Sequence, residues 1–176
     1  VSDADFKRIV ACLRLAVPYT GMILSTREAP EFREEVIALG VSQISAGSCT
    51  GVGEYSRGEA HDTPQFEVSD RRDLDQIIRD LLPYGYVPSF CTACYRSGRT
   101  GEAFMSLAKN GHIHEFCQPN ALLTFQEYLC DYASPDTVKL AENAISKAFA
   151  GVDPRLRREC ERRMERIISG ERDLYF

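Results

Sequence analysis

The chain has 176 residues, 44% of them hydrophobic, so it is long enough to bury one ordinary core. Its net charge of −5 and isoelectric point near 5.3 argue against nucleic-acid binding, which needs clustered positive charge. No apolar run approaches the roughly 18 residues that span a bilayer. Seven cysteines, an odd number, favour a reducing compartment over a disulfide framework. We therefore expect a cytoplasmic protein without membrane or nucleic-acid partners.

The first part of the chain alternates helix and strand. Apolar spacing predicts a helix over residues 3–17, and a second helix should begin at Pro30 and stop at Gly40. Between and after them, Gly21–Ser25 and Val41–Gly47 are apolar runs that predict buried strands. This alternation predicts parallel pairing, with function at the carboxyl ends of the strands. Two such strands are too few for a stable parallel sheet, which expects cover on both faces.

Polar side chains follow both predicted strands. Ser25 and Arg27 come directly after the first strand, and Ser48 follows the second. An arginine at such a position can bind a carboxylate through two parallel hydrogen bonds. The alternative is an ordinary surface ion pair of Arg27 with Glu28.

The rest of the chain is predicted to be a loop followed by helices. Residues 51–65 are rich in glycine and polar side chains and predict an exposed loop, in which His61 is a solvated residue rather than a ligand. Helices are predicted from Leu74 to Leu82, Gly101 to Lys109, Leu122 to Tyr132, Pro135 to Phe149 and Pro154 to Ile168.

Three cysteines have the spacing of a metal site. Cys91 and Cys94 form a C-x2-C pair, and 22 residues separate Cys94 from Cys117. A structural zinc site normally closes with four protein ligands, whereas an iron-sulfur cubane held by three thiolates leaves one iron open. The spacing therefore favours an iron-sulfur cluster, but zinc with His112 or His114 as fourth ligand stays open, as does a dithiol or a set of free thiols.

The surroundings of the pair bear on these alternatives. A redox C-x2-C pair is expected to open a helix, but Gly98 and Gly101 intervene before any predicted helix. Arg96 and Arg99 flank the turn. They can donate to cluster sulfides or to an anion, or serve a purely structural role.

The string Cys-Thr-Ala-Cys-Tyr-Arg-Ser-Gly-Arg-Thr-Gly at residues 91–101, the cysteine spacing and Gly-Glu-Arg-Asp-Leu-Tyr-Phe at 170–176 together resemble a known family. They resemble the C-terminal part of the tyrosine lyases that mature iron-iron hydrogenase. These enzymes belong to the radical S-adenosylmethionine (radical SAM) superfamily and are related to the thiamine-pathway tyrosine lyase and biotin synthase. The thiamine-pathway relative lacks the three-cysteine set, so the cysteines make the resemblance specific.

The resemblance implies an α/β fold. Residues 1–66 would be the last strand-helix units of a (β/α)8 barrel, and residues 67–176 a mostly helical domain that binds an auxiliary 4Fe-4S cluster. The C-x3-C-x2-C motif that binds the SAM cluster is absent from this sequence and is expected in a preceding N-terminal barrel portion. This part alone should therefore lack radical chemistry, and it carries no assigned catalytic residue.

The resemblance also implies an activity and its ligands. The complete enzyme would cleave tyrosine with a 5′-deoxyadenosyl radical to p-cresol and dehydroglycine, which becomes carbon monoxide and cyanide. These would collect on an iron joined through free cysteine to the cluster held by Cys91, Cys94 and Cys117. Arg27, Ser25 and Ser48 would bind tyrosine, and other hydrogenase maturation proteins would be partners. The competing function is a zinc-stabilised helical interaction module.

Overall fold

A computed structural model of the chain describes residues 1–51 and 66–176, and the predicted loop with His61 lies outside them. The chain divides between Ile77 and Ile78 into two compact units. The described part is mostly helical, with one small sheet. Within these residues no helix combines the length and the apolar character that a membrane span requires.

The first unit contains the predicted alternation of helix and strand. Helix α1 is Asp3–Ala16, strand β1 is Ile23–Leu24, helix α2 is Pro30–Ala38 and strand β2 is Gln43–Ile44. The two strands pair in parallel, as predicted, with Ile23 opposite Gln43 and Leu24 opposite Ile44. Their carboxyl ends therefore lie at the same edge of the sheet.

Both strands are shorter than the apolar runs that predicted them. In the described residues each strand has the other as its ladder partner. The unit buries Val10, Leu24 and Val36 at its centre, with Phe6 and Phe32 in edge-to-face contact beside them. Side chains of α1 and α2 thus pack against Leu24 of β1 in this unit.

The second unit begins at Ile78, inside the third described helix, α3. This helix, Leu74–Leu81, leads into a 3-10 turn at Leu82–Tyr84. The remaining described helices are α4 (Ala93–Arg96), α5 (Gly101–Lys109), α6 (His114–Asp131), α7 (Pro135–Ala150) and α8 (Pro154–Ile168). The predicted helices over these ranges are confirmed, with two corrections: α6 begins eight residues before the predicted Leu122, and the one-turn α4 was not predicted.

Helix α6 is the centre of the second unit. Its residues Phe125 and Tyr128 pack with Ile78, Leu82, Ala141 and Ala144 in one buried cluster. Its residues Leu122 and Leu123 pack with Val152, Cys160 and Ile167 in another, against which Leu174 and Phe176 are placed. The first turn of the same helix carries Cys117, so the core of this unit fixes the position of that thiol.

Candidate metal centre

The C-x2-C pair surrounds a single turn of helix. Cys91 precedes helix α4, and Cys94 lies within it. The N–H of Ala93 donates to the Cys91 sulfur at 3.3 Å, and the N–H of Cys91 donates to the Ser89 hydroxyl at 3.4 Å. The expectation that glycines separate the pair from any helix is therefore wrong, because four residues suffice for this turn. The extended run before it is not part of a described strand, so a thioredoxin-like unit is not formed here.

Helix α4 ends in a Schellman motif. Gly98 has a left-handed φ of 66°, its N–H donates to the Tyr95 carbonyl at 3.3 Å, and the N–H of Arg99 donates to the Cys94 carbonyl at 2.8 Å. This is the pair of bonds that closes a helix through a glycine at C′. The consequence is that the chain turns back at Gly98 and brings Arg99 beside the cysteine pair.

Cys117 joins the pair from helix α6. Its N–H donates to the Ile113 carbonyl at 2.9 Å, and Ile113 is buried. The pKa of the Cys117 thiol is raised, first because the surrounding protein displaces water from it and then because the sulfurs of Cys94 and Cys91 lie close. Cys117 as a residue keeps an exposed surface. The thiols of Cys91 and Cys94 are thus near enough to Cys117 to raise its pKa, and their shared binding of a metal stays a prediction.

The spacing of these thiols bears on the kind of metal site. Among residues 1–51 and 66–176, no three His, Cys, Asp or Glu side chains are arranged to hold one metal ion. A tetrahedral zinc ion with Zn–S bonds of about 2.3 Å would draw its sulfurs to about 3.8 Å from each other. A polynuclear cluster binds each thiolate through a different iron and so needs a wider spacing. Both kinds of site stay alternatives that were predicted from the sequence.

The two histidines predicted as alternative zinc ligands lie at the surface. Nδ1 of His112 lies 3.2 Å from Oε1 of Glu115, and both His112 and His114 are exposed. His112 thus has a carboxylate neighbour at the surface.

The two arginines that flank the turn differ in their contacts. Arg96 is exposed, forms a bidentate pair with Asp173 and lies 4.6 Å from the ring centroid of Tyr175. Arg99 lies 4.6 Å from the ring centroid of Phe116 and acts on Cys117 in the direction that lowers the pKa of the thiol. The structure therefore separates two residues that sequence reasoning treated alike.

The last residues of the chain were missed as part of this site. The segment 171–176, here called the tail, ends at Phe176, whose N–H donates to Oδ1 of Asn120 at 2.8 Å. Nη2 of Arg99 donates to the Phe176 carbonyl at 2.8 Å, and Nδ2 of Asn120 reaches it at 3.4 Å. Asn120 is fully buried one helical turn after Cys117. That i, i+3 spacing is the signal in the sequence that would have linked the two residues.

The predicted substrate residues lie in the first unit. Ser25 directly follows β1 and its hydroxyl accepts from the N–H of Arg27 at 3.3 Å, whereas Ser48 is half-buried four residues after β2. Arg27 is exposed, and its guanidinium lies 4.0 Å from the ring centroid of Phe66. Among the described residues Arg27 forms no ion pair, Glu28 included. Its fork of donors is thus free to meet a carboxylate.

Comparisons with known proteins agree with the predicted resemblance. Residues 1–87 match the family described as the Biotin and Thiamin Synthesis associated domain. The 2-iminoacetate synthases of Escherichia coli strain K12 and Salmonella typhimurium are each 34% identical over 88 residues, which is 50% of this chain and 23% of theirs. The chain thus spans about a quarter of the length of these curated relatives.

Two solved structures extend the similarity to the second unit. A crystal structure of HydG, a maturase of the FeFe-hydrogenase, is 59% identical, covers 100% of this chain with 38% of its own, and superposes with a TM-score of 0.93. HydG from Carboxydothermus hydrogenoformans is 41% identical over 95% of this chain and 34% of its own, with a TM-score of 0.69. The resemblance predicted from the cysteine motif is therefore confirmed: this chain is similar, along its whole length, to part of the FeFe-hydrogenase maturase, a radical SAM relative of 2-iminoacetate synthase.

Proposed function

We propose that Cys91, Cys94 and Cys117 hold an auxiliary 4Fe-4S cluster in the C-terminal part of a radical SAM tyrosine lyase. The observation that carries this proposal is the placement of the C-x2-C pair around one turn of helix, in a chain that superposes on a hydrogenase maturase with a TM-score of 0.93. A buried Nε–H of Arg99 without a described partner, beside those thiols, fits a site that receives a negatively charged group. The 59% identity to a hydrogenase maturase over the entire chain supports the same function.

The chemistry of the complete enzyme is part of the proposal. It would cleave tyrosine to p-cresol and dehydroglycine with the aid of S-adenosylmethionine and a second 4Fe-4S cluster bound elsewhere. The auxiliary cluster would supply an open iron position for the iron and free cysteine with which carbon monoxide and cyanide are collected. Cys91, Cys94 and Cys117 would hold that cluster, and Arg99 would lie beside it as a cation. Other hydrogenase maturation proteins would receive the product in the cytoplasm.

The first unit would contribute substrate binding. Residues 1–66 would form the last strand-helix units of a (β/α)8 barrel, and residues 67–176 the cluster-binding domain. Barrel enzymes place substrate groups at the carboxyl ends of the strands, where Ser25 and Arg27 lie in this chain. We propose that Arg27 binds the carboxylate of tyrosine, with Ser25 and Ser48 as neighbouring hydrogen-bonding groups. The guanidinium of Arg27 is exposed and forms no ion pair within residues 1–51 and 66–176, which supports this role.

Anaerobic reconstitution with iron and sulfide tests the cluster. Cys91→Ala, Cys94→Ala and Cys117→Ala should each abolish a brown chromophore that holds iron and sulfide in equal amounts. Cys130→Ala is the matched control, because Cys130 is an exposed thiol of the same helix as Cys117. Iron uptake that survives all three cysteine changes would refute the proposed ligand set.

The same protein samples also test the competing function, a zinc-stabilised interaction module. That function requires one colourless zinc per chain and a histidine as fourth ligand. His112→Ala and His114→Ala should leave an iron-sulfur cluster intact, since both side chains are exposed and Nδ1 of His112 lies beside the Glu115 carboxylate. Stoichiometric zinc that is lost in a histidine variant would replace our proposal.

A further inference from the structure

Arg99 is held from three sides in the described structure. Its N–H is fixed by the Cys94 carbonyl at 2.8 Å, its guanidinium stacks on Phe116 at 4.6 Å, and its Nη2 donates to the Phe176 carbonyl at 2.8 Å. These contacts come from α4, α6 and the tail. A side chain with so many restraints loses the freedom that an exposed arginine normally keeps.

One donor of this fixed side chain has no acceptor. Nε of Arg99 is buried and finds no hydrogen-bond partner among residues 1–51 and 66–176. A buried donor without an acceptor is costly, and in a native protein it calls for a missing partner. The geometry places Arg99 next to two of the proposed ligands: its N–H bonds to the Cys94 carbonyl, and its guanidinium lies over the ring of Phe116, the residue before Cys117. The groups that would arrive at this place in the proposed function are sulfur atoms bound to iron.

We propose that Arg99 donates to the sulfur atoms of the cluster that Cys117 helps to hold and thereby stabilises its reduced form. The inference rests on the proposed function and adds a residue that sets the reduction potential of that site. Hydrogen bonds to cluster sulfurs, together with net charge, are known determinants of this potential. Because reduction adds negative charge, a nearby cation and donor raise the potential.

Asn120 and Phe176 act as positioning residues in this arrangement. The buried Asn120 accepts from the N–H of Phe176 at 2.8 Å, and the carbonyl of Phe176 in turn accepts from Arg99. Arg163 lies 4.0 Å from the ring centroid of Phe176 and so fixes the opposite side of the same residue. The tail therefore holds the guanidinium of Arg99 in place without supplying an acceptor for its Nε.

Arg96 provides the matched control. It has the same charge and lies three residues from Arg99, but it is exposed and bound to Asp173 and Tyr175. Arg96→Gln and Arg99→Gln change the net charge of the chain equally, so any difference between them reports the local contact. Arg99→Lys keeps the charge and removes Nε and the planar fork.

The test is a redox titration of the reconstituted chain, followed by paramagnetic resonance of the reduced cluster. For Arg99→Gln we expect the ratio of reduced to oxidised cluster at a fixed solution potential to fall about tenfold, which is about 59 mV for one electron. Arg96→Gln should change the ratio by less than about threefold, since its charge is more exposed to solvent. Arg99→Lys should fall between wild type and Arg99→Gln.

The role of Arg99 and the binding of the cluster can fail separately. A cluster that depends on the three cysteines but has the same potential in wild type, Arg99→Gln and Arg96→Gln overturns the role of Arg99 alone. A wild-type chain that binds no iron and sulfide overturns both. If Arg99→Gln loses the cluster while its thermal unfolding is unchanged, Arg99→Lys decides: a lowered potential supports the inference, and a wild-type potential contradicts it.

Discussion

Arg33 and Asp70 form an ion pair in which both side chains are buried. Arg33 is 1% exposed and Asp70 is 0% exposed, and the guanidinium of Arg33 donates through Nη1 to the Asp70 carboxylate and through Nη2 to the Ser45 carbonyl. Arg72 adds donors to the same carboxylate, from Nε at 3.0 Å and from Nη2 at 2.8 Å. Arg33 thus joins α2 to Ser45, just after β2, and to Asp70 in the segment before α3.

Asp70→Asn should destabilise the first unit strongly. It leaves Arg33 buried without its counter-charge, and breaking a buried pair in this way costs about 3–5 kcal/mol. The Lys7–Glu35 pair is the control because both side chains are partly exposed, so Glu35→Gln should cost about 0–1 kcal/mol. Urea unfolding followed by circular dichroism measures both variants. Equal losses of unfolding free energy in the two variants would show that burial does not make the Arg33–Asp70 pair more important for stability than an exposed pair.

The acid titration of Glu159 should be displaced far below the usual range. Hydrogen bonds from Arg162 and then from Arg163 lower the pKa of Glu159 to about 2. An unfolded glutamate has a pKa of about 4.3, so the stabilisation is complete above that pH and is lost as the pH falls towards 2. NMR titration of the carboxyl carbon should give a midpoint near 2.

Two arginine variants test the cause of that shift. Arg162→Gln should move the Glu159 midpoint upwards, because it removes the largest contribution. Arg158→Gln, an equal charge change on the same helix, should leave the midpoint almost in place, since Arg158 is not among the groups that act on Glu159. A similar shift in both variants would point to net charge instead.

Gly98→Ala should loosen the turn that follows the cysteine pair. Gly98 has a φ of 66°, and a Cβ there would meet no atom within 4 Å, so the cost is backbone strain rather than a clash. Such strain amounts to about 1–2 kcal/mol. Gly21→Ala is the control, because Gly21 needs no left-handed φ and its nearest atom would lie at 3.8 Å. Thermal unfolding of the two variants gives the comparison, and an unaffected Gly98→Ala protein would contradict the prediction.

Asn120→Ala should detach the tail from α6. The change removes two hydrogen bonds to Phe176 in a buried place, which we expect to cost about 1–3 kcal/mol. Amide hydrogen exchange should rise first at residues 171–176. Gln126→Ala on the same helix is the control, since its amide contacts the exposed Cys130 at 3.7 Å and leaves the tail untouched. Unchanged exchange in the tail would show that other contacts suffice.

Cys94→Ala in the longer enzyme should affect formation of p-cresol and formation of the diatomic products differently. The SAM cluster lies outside this chain in our proposal, so p-cresol should still form from tyrosine. Release of carbon monoxide and cyanide should fall sharply, because the auxiliary cluster loses one of its three ligands. Chromatography of p-cresol and a haem-based assay of carbon monoxide measure the two products separately. Parallel loss of both would mean that Cys94 supports the fold of the whole enzyme.

Most helices of this chain could be predicted, because their apolar spacing and caps agree with the tertiary structure. Helix α6 is the exception. Pro119 and the polar run before it interrupt the helical pattern, so the sequence placed the start at Leu122. In the structure Pro119 is completely buried, and this packing compensates for the hydrogen bond that a proline cannot make. Cys117 is consequently a helix residue rather than a loop residue.

The candidate site was predicted in part for a comparable reason. The three cysteines share a spacing that a motif can reveal, and Arg96 and Arg99 adjoin them in the sequence. The contact between Asn120 and Phe176 has no local signal in the sequence, since 56 residues separate the two. Contacts of this kind are decided by the packing of the second unit. Substrate binding by Arg27, Ser25 and Ser48 stays a prediction.

The link between Arg99 and Phe176 also affects when the site can form during synthesis. Their sequence separation is 77 residues, and the ribosome makes Cys91, Cys94 and Cys117 well before Phe176. Until Phe176 leaves the exit tunnel, the guanidinium of Arg99 lacks its hydrogen bond to the Phe176 carbonyl. During that time the three thiols can react with cellular oxidants and with other metal ions. We therefore expect metal loading to follow release of the tail, and stalled nascent chains to bind iron poorly.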